Sequence, residues 1–63
     1  MLNKWVIQIL GGKFFAYGPF KSEGAWDKRF NSTKGGEVHK FECWADTEED
    51  VIKDFKQSLA RSL

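Results

Sequence analysis

Two apolar runs separated by a glycine pair constrain this chain more than any other feature. Trp5-Val6-Ile7-Gln8-Ile9-Leu10 is rich in β-branched and aromatic residues, Gly11-Gly12 supplies two residues free to take positive φ, and Phe14-Phe15-Ala16-Tyr17 resumes the same character. The pattern reads as a β-hairpin of two strands, β1 (5–10) and β2 (14–17). With Gly11-Gly12 as a two-residue loop, Leu10 faces Lys13, Ile9 faces Phe14, Gln8 faces Phe15, Ile7 faces Ala16 and Val6 faces Tyr17. Directly opposed residues share a face. Trp5, Ile7, Ile9, Phe14 and Ala16 therefore form an expected core face. Lys4, Val6, Gln8, Leu10, Lys13, Phe15 and Tyr17 form a mixed face, of the kind that meets water or a partner.

Gly18-Pro19-Phe20 is expected to end the second strand, because proline cannot donate to the ladder. Ser22 can then cap a helix (α1, between Ser22 and Asn31) whose inward positions are Ala25, Trp26 and Phe30, and which Gly24 keeps short. Asn31 to Gly36 reads as a loop. From Glu37 to Ala45 (β3) His39, Phe41, Cys43 and Ala45 alternate with Val38, Lys40, Glu42 and Trp44. Asp46 is expected to open a capping box with Glu49 for a second helix (α2, from Asp46 onward). Its apolar stripe is Val51, Ile52, Phe55, Leu59 and Leu63.

The expected fold is a single α+β domain over 1–63 in the order β1-β2-α1-β3-α2. A right-handed crossover from β2 makes β3 parallel to β2, and seating β3 beside β1 gives a three-stranded sheet of order 2-1-3. Both helices are expected on the face of Trp5, Ile7, Ile9, Phe14 and Phe41. That leaves the opposite face open, with Val6, Phe15, Tyr17, Val38 and Trp44 among Lys4, Gln8, Lys40 and Glu42.

Sixty-three residues allow one small core, of total stability roughly 3–9 kcal/mol, and leave little room for a deep catalytic cleft. Six basic and two acidic residues in 1–36 give +4, four basic and seven acidic residues in 37–63 give −3, and the net charge is only +1. The surface is thus expected to be bipolar, without the strongly basic footprint of a dedicated nucleic-acid binder. Cys43 is the only cysteine, so no internal disulfide can form, and the N-terminal apolar run is too short for a signal segment or a membrane span. A cytoplasmic protein is expected.

No catalytic or metal-binding constellation emerges, and neither a cofactor nor enzyme activity is expected. His39 and Cys43 are the only soft donors, and on one strand they stand about 13 Å apart, too far to share an ion or to pair as base and nucleophile. Gly11-Gly12-Lys13 lacks the upstream glycine and following hydroxyl of a phosphate loop. The acidic run Asp46, Glu48, Glu49, Asp50 lacks the alternating ligands and central glycine of a calcium loop, and helix capping accounts for it.

The open aromatic face carries the functional expectation. Val6, Phe15, Tyr17, Lys40 and Trp44 are the expected partner-binding residues, because aromatic side chains dominate protein-binding hot spots. The partner is expected to be another protein or a second copy. The alternative is weak binding of single-stranded nucleic acid, with Phe15, Tyr17 and Trp44 stacking bases while Lys4, Lys13, Lys21 and Lys40 approach phosphates. A third reading has a helix crossing to this face and burying its aromatics as ordinary core.

Ala16-Tyr17-Gly18-Pro19-Phe20-Lys21-Ser22, running into a helix with Ala25-Trp26, resembles small uncharacterised proteins encoded by phages and prophages that carry a hairpin, a Tyr-Gly-Pro-Phe turn and a short helix. The resemblance spans less than half of the chain. It implies a stoichiometric role in the host cytoplasm, binding and inhibiting or redirecting a host enzyme or defence complex, and it carries over no individual residue.

Overall fold

A computed structural model describes residues 1–62. The elements are β1 (Asn3–Leu10), β2 (Lys13–Phe20), α1 (Glu23–Ser32), β3 (Glu37–Cys43) and α2 (Glu48–Arg61). This is the expected α+β order. The sheet has the order β2-β1-β3 and is antiparallel throughout, so the most apolar strand lies in the middle.

The hairpin register follows the glycine turn: Leu10 pairs with Lys13, Ile9 with Phe14, Gln8 with Phe15, Ile7 with Ala16 and Val6 with Tyr17. Gly11 and Gly12 take φ of 58° and 77°, the left-handed values such a turn requires. Below Val6 the register slips and Lys4 meets Phe20, so β2 runs through Pro19 rather than stopping at Gly18.

Both helices are capped from their own sequence. The Ser22 hydroxyl accepts from the Ala25 amide at 3.1 Å, as expected. The second cap is Thr47, whose hydroxyl accepts from the Asp50 amide at 3.2 Å, one residue beyond the expected Asp46. Thr47 and Asp50 have the spacing of a capping box, and the acidic first turn of α2 sits at the positive end of its dipole. Leu63 lies outside the described residues.

The helices do not share a face of the sheet, contrary to expectation. α2 lays Val51 and Phe55 on the face made by Trp5, Ile7, Ala16 and Cys43, flanked by Ile9, Phe14 and Phe41. The Phe55 ring packs edge-on against Phe41 at 5.2 Å and Phe14 at 6.3 Å. α1 crosses over the other face, where Trp26 is its one buried residue and Phe30 is half-buried, while Ala25 points to solvent. Leu59 is likewise exposed, one turn beyond Phe55, which with Val51 makes up the buried residues of α2. The result is a three-layer sandwich, helix on sheet on helix. The four consecutive residues Trp5, Val6, Ile7 and Gln8 are all buried, as a strand covered on both sides must be.

Candidate functional site

The five expected partner-binding residues are separated by this layering. Val6 has no exposed surface and is core beneath α1. Tyr17 is half-buried: its hydroxyl donates to Gln8 Oε1 at 2.7 Å, and the Arg29 guanidinium of α1 stacks 3.9 Å from its ring centroid. Lys40 binds the Asp27 carboxylate of α1, and its ammonium sits 4.3 Å from the centroid of the Trp26 ring. Val6 is core, and Tyr17 and Lys40 are engaged with α1, with part of the Lys40 side chain still at the surface. The sequence reading of an open aromatic sheet face is corrected accordingly, because the β2-to-β3 crossover helix lies on it.

Phe15 and Trp44 do remain exposed, at 37% and 70%. They lie on opposite edges of the sheet and towards opposite ends, Phe15 level with Gln8 and Trp44 just beyond the pairing of Cys43 with Asn3. No surface joins them directly.

Trp44 is held by its backbone while its indole is free. Its carbonyl accepts from Asn3 Nδ2 at 3.3 Å, and the next carbonyl, that of Ala45, accepts from Asn3 Nδ2 at 2.9 Å and from the Trp5 indole at 3.0 Å. Continuing the β1–β3 register by one residue sets Leu2, 41% exposed, across from Trp44. On the β2 side the same end of the sheet opens into a groove of about 230 Å³ between Leu2–Lys4 and Pro19–Lys21, with the Phe20 side chain half-buried in its wall. Lys4 and Glu42 form an ion pair at 3.6 Å on its rim. Trp44 and Leu2, with Phe20 in the groove wall, make this end of the sheet apolar. Phe20 escaped the sequence reading because the register slip that brings it to Lys4 is not encoded in any turn motif.

The remaining reactive groups are structural in their setting. Burial pushes the Cys43 thiol up, a hydrogen bond from the Ala45 backbone opposes that shift in part, and the Asp54 carboxylate adds to it. A protonated thiol packed in a core is a poor nucleophile. His39 lies against Phe55 with ring centroids 5.2 Å apart, and its Nε2 is sealed from solvent without a hydrogen bond, 3.7 Å from Glu37. Phe41 stands between His39 and Cys43 on the same strand face. Among the described residues no three His, Cys, Asp or Glu side chains gather to hold a metal ion, and no helix is long and apolar enough to cross a membrane. No family model, curated relative or solved structure matches the chain.

Proposed function

We propose that the chain is a non-catalytic protein-binding module that docks its partner on the apolar end of the sheet, with Trp44 as the anchor. The observation that carries this reading is the contrast at Trp44: a large indole 70% exposed on a backbone fixed by Asn3 and Trp5. An aromatic side chain on a rigid mount loses little conformational freedom on binding, and such residues supply most of the energy of protein interfaces. The resemblance to small phage and prophage proteins supports a stoichiometric modulator of a host protein in the cytoplasm. Base stacking along the sheet is disfavoured, since Tyr17 and Lys40 are engaged with α1 and the two exposed rings lie on different edges.

The test is partner capture by protein carrying a photo-crosslinking residue at position 2, beside an intact Trp44, followed by titration with the purified partner. Trp44→Ala is expected to weaken the complex by at least about tenfold, while Phe15→Ala leaves it unchanged. Equal binding by wild type and Trp44→Ala removes the reading. Salt-sensitive quenching by a single-stranded oligonucleotide, lost in Trp44→Ala, favours nucleic acid instead.

A further inference from the structure

β3 is the edge of the sheet that the fold leaves open to strand pairing. It pairs with β1 through seven consecutive positions without irregularity, and among the described residues no hydrogen bond from outside that ladder reaches its backbone. The other edge is guarded: β2 carries Pro19, and the ladder beneath it slips between Lys4 and Val6. β3 contains no proline, and its one lysine is drawn over α1 by Asp27.

The geometry points to a second copy of this chain as the occupant of that edge. The two β3 strands pair antiparallel about a two-fold axis through Phe41, doubling the three-stranded sheet. The inference rests on the reading of Trp44 as a docking anchor, and it names the partner. A two-fold axis normal to the sheet keeps each face on its own side, so opposed residues come from the same face. Centring the pair on Lys40 opposes two lysines, and centring it on Glu42 opposes two glutamates, both unfavourable. Centring on His39 leaves Glu37 across from Phe41. Only the Phe41 centre sets Lys40 across from Glu42 on both sides of the axis. Two residues further along, on the same face, it carries the exposed Trp44 onto the half-buried Val38 of the second copy.

The charges already in place suit that register. An ammonium has three donors, so Lys40 can keep Asp27 and still receive Glu42 of the second copy. Glu42 is in turn held by Lys4 at 3.6 Å. Lys4, Glu42, Lys40 of the second copy and Asp27 of the second copy then alternate in sign across the interface, and the arrangement occurs twice.

Sedimentation equilibrium across a concentration series tests the proposal. The wild type is expected to approach twice the 7.3 kDa chain mass at high concentration. Lys40→Glu alone and Glu42→Lys alone each oppose like charges and are expected to sediment as monomers with helical circular dichroism retained. Their equimolar mixture restores both attractive pairs and is expected to recover the dimer. A wild type that stays monomeric throughout, or two single variants that dimerise as well as wild type, overturns the proposal. If either variant loses its helical signal, amide exchange of the wild type decides: β3 amides that slow with rising concentration support the pairing, and concentration-independent exchange overturns it. A monomeric wild type whose Trp44-dependent capture of another protein persists overturns the second copy alone. Trp44→Ala with both dimerisation and capture unchanged overturns the anchor and leaves the second copy standing.

Discussion

The indole N–H of Trp26 donates to the backbone carbonyl of Trp5 at 2.8 Å, from a helix on one face of the sheet to the central strand that feeds the core on the other. This bond is buried. Trp26→Phe keeps most of the apolar contact but removes the donor, and is expected to cost about 1–2 kcal/mol in urea unfolding. Trp26→Ala is expected to cost about 3–5 kcal/mol, enough to detach α1 from so small a domain.

Gln8 is the one buried polar side chain of the sheet, and both ends of its amide are used. Its Nε2 donates to the carbonyls of Lys34 and Gly35, each at 3.0 Å, and its Oε1 accepts from Tyr17. The α1–β3 loop is thus tied to the central strand. Tyr17→Phe is expected to lower stability by about 1 kcal/mol. Gln8→Leu leaves the Tyr17 hydroxyl and two loop carbonyls unpartnered and is expected to cost more, with faster amide exchange in 33–36 as the distinguishing readout.

Gly36 and Gly11 both have positive φ, of 64° and 58°, and are expected to respond differently to substitution. A Cβ at Gly36 falls 1.9 Å from the Ile9 carbonyl oxygen, whereas one at Gly11 meets nothing within 4 Å. Gly36→Ala adds a backbone clash to left-handed strain and is expected to lose at least about 2 kcal/mol. Gly11→Asn is expected to be near neutral in thermal unfolding, because asparagine tolerates this conformation in a turn.

Cys43 gives the fold an alkaline dependence. Its thiol pKa is raised in the folded state, chiefly by burial, so the folded chain holds this proton to higher pH than the unfolded chain does. The contribution is fully present below the ordinary thiol pKa of about 8.5 and is lost as pH rises from there towards the folded value. Stability of the wild type is expected to fall over that range more than that of Cys43→Ala, each compared with its own value at pH 7. Alkylation of the folded protein at neutral pH is expected to be far slower than of the unfolded chain.

Trp44→Ala is expected to change the unfolding midpoint of the monomer little, within about 0.5 kcal/mol, since the indole is 70% exposed. A large loss of stability would place the ring in the core and remove it as an anchor.

Much of the architecture was legible locally. Gly11-Gly12 between two apolar runs set the hairpin and its register, Ser22 marked the start of α1, and alternation from Glu37 assigned the two faces of β3. The shift of the second cap from Asp46 to Thr47 shows the limit of such signals, since both residues can cap and only the geometry of the turn selects one. For the candidate site, Phe15 and Trp44 were legible as exposed rings, while the burial of Val6, the stacking of Tyr17 and the Lys40–Asp27 pair follow from the face that α1 takes, which no local pattern states.

The chain's own order of turns, caps and periodicities determined which elements form and how the strands pair, because those choices depend on residues close in sequence. Which face α1 covers was decided only in three dimensions. The unbroken apolar run Trp5-Val6-Ile7 was the one local sign that β1 is buried on both sides. Both faces offered apolar surface, and the outcome turned on contacts between distant residues: Trp26 with Trp5, Arg29 with Tyr17, and Asp27 with Lys40. Val6 is buried beneath α1 and Gln8 is tied to the loop that follows it, so that face of the sheet is covered while Trp44 at its end stays exposed.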